Sequence, residues 1–237
     1  MVPSGSSGKC AVITGASRGI GFAAAQRFLS AGYRVINLSR SPVDLAGMTN
    51  IQADLSAPDW ARTAEQPLLD AVGDAETLAL VHNSAFNIPA PVQAVQAADF
   101  RHAFEVGVIA PSVLNQLLLE RMRPGSSIIY IGSTLSQRST KGMAAYTSVK
   151  HALLGLMRAT CQDLAGKGVH TCCVCPGFTD TEMLRAYGGE ALTHLAGLST
   201  QNRLIAPTEI AEVIFFGAAN PVVNGAALNA DLGFIEP

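Results

Sequence analysis

Tyr146 and Lys150 stand four residues apart in the stretch Tyr146-Thr147-Ser148-Val149-Lys150. That spacing is about one turn of an α-helix, so phenol and amine share a face. A cationic amine beside a phenol equips it to give a proton to a substrate oxygen, or to take one away. An isolated Tyr-x-x-x-Lys is more often a half-buried tyrosine and a solvated lysine on an amphipathic helix. The surrounding motifs decide between the two readings.

The elements that must position this pair read as alternating strands and helices. Lys9 to Thr14 is a short apolar run that enters Thr14-Gly15-Ala16-Ser17-Arg18-Gly19-Ile20-Gly21. Ile20 to Ala31 has helical periodicity, with Phe22, Ala25, Phe28 and Leu29 on one side and Gly32 as its stop. Arg34 to Leu38 is a second strand. Strand, glycine turn, helix, strand is a βαβ unit, which implies a parallel sheet. Glycines at such a turn let backbone N–H groups converge on a phosphate without a Cβ in the way. The spacing Gly15, Gly19, Gly21 is not Gly-x-Gly-x-x-Gly, and a plain tight turn is the competing reading.

The second strand ends in Leu38-Ser39-Arg40-Ser41. An NAD-preferring fold places an acid about 20 residues after the glycines, to hold the ribose 2′-hydroxyl. Here no carboxylate repels a 2′-phosphate, and Arg40, with Arg18 in the glycine turn, can pair with one. This favours NADP(H) over NAD(H). The competing reading for each arginine is a solvated surface charge.

Further along, Ile51 to Leu55 reads as a third strand. Asp54 at its end is placed to accept from an adenine amino group or, with Ser56, to cap the next helix. Trp60 to Val72 is a helix and Thr77 to Val81 a fourth strand, leading to His82-Asn83-Ser84-Ala85 at the carboxyl edge, where ligands bind in such sheets. Asp99 to Met122 is a long helix in which Pro111 is expected to cause a kink. Ser127 to Ile131 is strand five, followed by Gly132-Ser133-Thr134. The helix of Tyr146 and Lys150 runs to about Leu164. Val169 to Val174 is strand six, ending at Pro176-Gly177. Thr179 to Ser199 has weak periodicity and reads as a lid, extending to about residue 204. Thr208 to Ala218 is a helix capped by Thr208, and Ala226 to Ala230 a last strand.

Composition bounds the function. Of 237 residues, 49% are hydrophobic and 14% charged, with a formal net charge of −2. A sizeable core follows, and no basic excess points to nucleic acid. No apolar run reads as long enough to span a bilayer, so no membrane partner is expected. Residues 1–8 read as a flexible leader without the apolar core of a signal peptide, and 9–237 as one domain. Five cysteines without an export signal suggest reduced thiols and the cytoplasm. Cys172, Cys173, Cys175 and His170 invite a metal reading. Adjacent strand residues face opposite ways, so buried cysteines serving as small apolar groups are the better reading, and no metal site is expected.

Taken in order, Thr14-Gly-x-x-x-Gly19-x-Gly21, Asn83-Ser84-Ala85, Ser133, Tyr146-x-x-x-Lys150 and Pro176-Gly177 resemble the short-chain dehydrogenase/reductase family, in its compact single-domain branch, from about Lys9 to Gly233. The resemblance implies a Rossmann-type doubly wound parallel sheet of about seven strands in a three-layer α/β/α arrangement. It implies Tyr146 as acid/base, Lys150 as its helper and a ligand of the nicotinamide ribose, and Ser133 as the group that orients the substrate carbonyl. It further implies cofactor contacts from Gly15, Ser17, Arg18, Gly19, Ile20, Gly21, Ser39, Arg40, Asp54, Leu55, Asn83, Ser84, Ala85, Tyr146, Lys150, Pro176, Gly177, Phe178, Thr179 and Thr181. Asn229-Ala230-Asp231-Leu232-Gly233 resembles the family's Asp-Gly-Gly ending, with Leu232 in place of a glycine. Gly107 stands where the family usually has an asparagine that helps a proton path to the lysine. An altered relay, with Gly107 admitting water or substrate, is the expectation.

The activity so implied is NADP(H)-dependent hydride transfer to or from a ketone, aldehyde or secondary alcohol. A non-catalytic dinucleotide sensor is the alternative; the intact trio Ser133, Tyr146 and Lys150 argues against it. An epimerase or dehydratase of the broader family needs a larger substrate domain than this chain has room for. Phe178, Met183, Leu184, Tyr187, His194 and Leu198 suit an apolar or modestly polar substrate. A homodimer or homotetramer through the faces of Val106 to Leu119 and Ala152 to Leu156 is the family expectation, with Ile235-Glu236-Pro237 able to join.

Overall fold

A computed structural model describes residues 8–234. The expected roles of the leader and of Ile235 to Pro237 fall on residues 1–7 and 235–237, outside that range. Seven strands, β1 (Lys9–Thr14), β2 (Arg34–Ser39), β3 (Met48–Gln52), β4 (Thr77–His82), β5 (Ser127–Ile131), β6 (His170–Pro176) and β7 (Ala226–Ala230), form one all-parallel sheet in the order β3-β2-β1-β4-β5-β6-β7. The order reverses between β1 and β4. This is the switch point, where the loops leaving two neighbouring strands part and open a crevice.

Alternation along each strand divides the core into two layers. Cys10 and Val12 of β1 pack with α2 (Trp60–Val72), α4 (Ala110–Leu118) and α5 (Ala144–Asp163), through Leu68, Leu114 and Leu153 among others. Ala11 and Ile13 face α1 (Gly19–Ser30) and α8 (Pro207–Ala219), through Phe28 and Ile214. The chain is therefore a three-layer α/β/α sandwich. The cysteines of β6 follow the same rule. Cys173 and Cys175 lie in the first layer and Cys172 in the second, where burial pushes its thiol up to about 12.

Four sequence expectations are corrected. The third strand is Met48–Gln52, not Ile51 to Leu55, because Val35 to Ser39 pair with Met48 to Gln52 and the chain leaves the sheet before Asp54. Asp54 does not cap α2, whose N-cap is Asp59; its Oδ1 accepts from Ser56 N at 3.0 Å and Ser56 Oγ at 2.7 Å instead. The cap of α8 is Ala206, with Pro207 in the first turn and Glu209 Oε2 accepting from Ala206 N at 2.8 Å, so Thr208 lies inside the helix.

The long helix is the fourth. It starts as α3 (Ala97–Phe104), opens into a π-helical turn over Glu105–Ile109, resumes as α4 and ends in a 3₁₀ turn at Leu119–Arg121. Pro111 follows the π turn directly, in the first turn of α4, so the irregular hydrogen bonding lies just before it. The whole run Ala97–Arg121 is long and apolar enough to cross a membrane by length and composition alone, contrary to the reading that no run is. Here Ala110, Leu114 and Leu118 are buried against the sheet.

The expected lid contains two short helices, α6 (Glu182–Arg185) and α7 (Gly189–Gly197). Its base is clipped shut: Ile205 N donates to Phe178 O and Asp180 N to Ile205 O, both at 2.9 Å.

Candidate active site

A cleft of about 1010 Å³ opens along the carboxyl edge of the sheet, at the switch point. It brings together most of the residues named from the sequence. Gly15, Ser17, Arg18, Gly19, Ile20, Ser39, Arg40, Asp54, Leu55, Asn83, Ser84, Ala85, Ser133, Tyr146, Lys150, Pro176 and Thr181 all line it. Gly21, Gly177, Phe178 and Thr179 do not.

The glycine turn is held by long-range bonds that only the fold supplies. Gly15 and Gly19 have φ of +68° and +55°, a region that strains other residues. A Cβ on Gly15 would stand 2.9 Å from Ser84 Oγ, and one on Gly21 would strike Gly15 O and Asn83 Nδ2. Asn83 Nδ2 donates to Thr14 O at 2.9 Å, while Thr14 Oγ1 accepts from Asn83 N and Ser84 N, each at 2.9 Å. These bonds lash the end of β4 to the end of β1.

Asn37, in β2, completes the support. Its Oδ1 accepts from Ala16 N at 3.0 Å, and its Nδ2 donates to Asn50 Oδ1 at 2.9 Å. Sequence reading missed Asn37. In the chain it is only an asparagine between Ile36 and Leu38; its burial at 1% exposure and its bond to Ala16 are what mark it.

At one end of the cleft Ser39 Oγ donates to Ser41 O at 2.7 Å, fixing the turn that carries Arg40. Hydrogen bonds from Ser56, with the Arg40 charge adding to them, hold the Asp54 carboxyl below its ordinary range. Arg18 leans the other way. Its Nη1 meets Glu182 Oε2 of α6 at 3.1 Å, while the Thr181 methyl lies close over Gly19.

At the other end stand Ser133, Tyr146 and Lys150. Ser133 leaves β5 with extended backbone and caps a 3₁₀ turn, its Oγ accepting from Leu135 N at 3.1 Å. The hydroxyl proton is thereby left to donate elsewhere. Tyr146 and Lys150 project from α5 one turn apart, with Nζ 5.4 Å from the tyrosine ring centroid. Lys150 is 3% exposed and donates from Nζ to Ile131 O at 2.7 Å.

Beneath Ser133 lies a pair of thiols. Cys173 and Cys175 Sγ are 3.8 Å apart. Cys175 is lowered to about 6, first by the Cys173 hydrogen bond, then by those from Gln137, Ser133 N and Ser136; its partner Cys173 is pushed up. Gly132 is required above them, since a Cβ there would come within 2.7 Å of both Cys173 Sγ and Ser136 Oγ.

Behind the cleft Thr179 is buried and Phe178 turns to Phe234, with ring centroids 5.7 Å apart. A Cβ on Gly177 would come 2.8 Å from Asp231 Cα. Leu232 takes φ +55°, the left-handed conformation that the family's glycine would adopt without cost.

Gly107 sits buried in the π turn, and a Cβ there would collide with Val149 Cγ1. Its use is close approach to α5, beside the Tyr146–Lys150 turn, rather than the opening for water or substrate expected from the sequence.

The model for the short chain dehydrogenase family matches residues 9–190. The chain belongs to this family. Among its relatives is 1-deoxy-11-beta-hydroxypentalenate dehydrogenase of Streptomyces exfoliatus, 32% identical over 192 residues, which are 75% of this chain and 70% of the relative. Among solved structures, the blue fluorescent protein from a metagenomic library, in complex with NADPH, is 30% identical with a TM-score of 0.85, over 96% of this chain and 98% of that one. A short-chain dehydrogenase from Burkholderia cenocepacia, in complex with NADP, is 27% identical with a TM-score of 0.87 over the same shares.

Membership makes this short-chain dehydrogenase an oxidoreductase that uses a nicotinamide cofactor on CH–OH or carbonyl groups of small molecules. The cleft of this short-chain dehydrogenase fits such a cofactor. A glycine turn with no room for a Cβ on Gly15 or Gly21 opens α1, whose N-cap residue Arg18 makes no side-chain cap bond.

Proposed function

We propose that this short-chain dehydrogenase moves a hydride between NADP(H) and a ketone, aldehyde or secondary alcohol, with Ser133, Tyr146 and Lys150 as its catalytic residues. One observation carries the reading. A single cleft has the serine, tyrosine and lysine at one end and Ser39 and Arg40 at the other, with Arg18 on its lining paired to Glu182, and β2 ends without a carboxylate. The NADPH and NADP complexes of the similar structures support the cofactor choice.

The roles follow from the bonds each side chain already makes. A bound nicotinamide supplies or takes up the hydride. Ser133 has its oxygen engaged by Leu135 N, so its proton is directed to the substrate oxygen. Tyr146 delivers or removes the proton on that same oxygen. Lys150, anchored on Ile131, holds positive charge beside the phenol and offers its remaining protons to the nicotinamide ribose. Gly15, Ser17, Gly19 and Ile20 surround the pyrophosphate, and Asp54, through the carboxylate edge left by Ser56, accepts from the adenine. Asn83, Ser84, Ala85 and Thr181 shape the cleft between adenine and nicotinamide, with Gly177, Phe178 and Thr179 supporting them from behind. The segment 179–204 is the lid. The same reading includes a homodimer or homotetramer through α4 and α5, in the cytoplasm, built from one domain over 9–237.

The test is titration of NADPH and NADH against wild type and Arg40→Ala. Tighter NADPH binding that weakens by about tenfold in Arg40→Ala, toward the NADH value, is expected for a lost charge-assisted phosphate contact. Equal binding of both cofactors, unmoved by the substitution, overturns the NADP assignment. A screen of carbonyl compounds following NADPH absorbance then tests the activity.

A further inference from the structure

The substrate end of the cleft holds a polar pair that the proposed chemistry does not use. Asn87 leaves the loop after β4 and lines the cleft beside Phe86, His102, Val106 and Met183. Its Nδ2 donates to Tyr187 Oη of the lid at 2.8 Å, across 100 residues of sequence. Its Oδ1 is buried and has no hydrogen-bond partner among the described residues. A buried amide oxygen left in that state costs about 1–3 kcal/mol, so its retention calls for a ligand.

The surroundings narrow the ligand's chemistry. Phe86 packs edge-on to His102 with centroids 4.2 Å apart, and Val106 and Met183 are apolar, so the pair is a polar spot on a largely apolar wall. With Nδ2 on Tyr187, the free groups are an acceptor, Asn87 Oδ1, and two donors, the Tyr187 hydroxyl proton and the second Nδ2 hydrogen. With the amide turned over, Tyr187 donates to Oδ1, and the free groups are the two Nδ2 hydrogens and the phenol oxygen. Either way the pair offers donors and an acceptor side by side. That set complements a hydroxyl, which both gives and takes a hydrogen bond. An ammonium would leave the donors unmet, and a second carbonyl the acceptor.

We infer that Asn87 and Tyr187 together recognise a hydroxyl group on the substrate, so that the preferred substrate is a hydroxylated carbonyl compound rather than a plain one. The inference rests on the oxidoreductase reading above and adds the substrate class to it. Because Tyr187 belongs to the segment proposed as the lid, the same hydroxyl would tie lid to loop when the substrate is in place.

The test compares matched pairs, acetone with hydroxyacetone and cyclohexanone with its α-hydroxy derivative, in NADPH-dependent reduction by wild type, Asn87→Leu and Tyr187→Phe. Expected is a wild-type kcat/KM at least about tenfold higher for the hydroxylated member, since a site built to bond a hydroxyl rejects the analogue lacking it. Both variants should bring that ratio toward unity, by lowering kcat/KM more for the hydroxylated member than for the plain one, with NADPH affinity kept. Equal kcat/KM for both members in wild type overturns the inference and leaves the oxidoreductase reading standing. So does a loss of NADPH affinity in Asn87→Leu as large as the loss of kcat/KM, which would put the amide on the cofactor's carboxamide. No turnover of any carbonyl compound removes both.

Discussion

Lys150 Nζ donates to the main-chain oxygen of Ile131 at 2.7 Å, so the amine proposed to assist Tyr146 is bolted to the last residue of β5. Lys150→Met keeps the length of the side chain and removes its charge. Turnover should fall by about 10²-fold or more, the usual scale for lost assistance to proton transfer. One neutralised hydrogen bond should cost only about 1 kcal/mol in stability. Steady-state rates alongside urea unfolding separate the two, and a variant that keeps its rate removes Lys150 from the chemistry.

The ion pair between Arg18 and Glu182 lies at the mouth of the cleft, with the two side chains 66% and 65% exposed. Such a pair stabilises the fold little. It does occupy the guanidinium proposed to meet the cofactor phosphates. Glu182→Gln should tighten NADPH by about two- to tenfold and NADH by less, an advantage that shrinks as salt screens the charges. Fluorescence titration at low and high ionic strength reads both. Unchanged affinities would mean that Arg18 takes no part in binding.

His82 packs at a tilt against Tyr130, with ring centroids 4.8 Å apart, and bonds Asn115 Oδ1 through Nε2 at 2.9 Å. Burial lowers its pKa from 6.5 to about 4, so the folded state holds the ring neutral. The unfolded chain therefore binds more protons between those two values, and stability is lost as pH falls through that window. From about pH 7 to pH 5 the loss should be roughly 2 kcal/mol. His82→Gln should flatten that slope in urea unfolding; a slope left intact would assign it to other groups.

Gly107 has no room for a side chain because Val149 Cγ1 fills the space. Gly107→Ala should destabilise by about 1–3 kcal/mol through overpacking. Trimming the neighbour should recover much of it, so the Gly107→Ala, Val149→Ala double variant should cost less than the sum of the single ones. Additive losses would show that the two residues are not in contact. Gly107→Asn meets the same collision, so any change it makes in turnover must be read against its unfolding midpoint before a proton relay is invoked.

Much of the site was legible in the chain alone, because it rests on local signals. Tyr146 and Lys150 meet through helical spacing, Gly15 and Gly19 adopt a positive φ because they lack a Cβ, and alternation along β6 puts Cys172 opposite Cys173 and Cys175. The motif order from Gly15 to Pro176 was enough to reach the family. Contacts between residues far apart in sequence were not legible. Whether β3 starts at Met48 or Ile51 depends on register against β2, whether the long helix opens at Glu105 depends on how close Gly107 can come to Val149, and Asn37, Asn87 and Glu182 became visible only through Ala16, Tyr187 and Arg18. The sequence by itself determined which chemistry-bearing groups the chain has and in what order the strands deliver them, since propensity, period and turn stereochemistry act over a few residues. Only the tertiary structure decided which of those groups touch, because each such contact closes a loop of tens of residues and exists only where packing has already brought the two ends together.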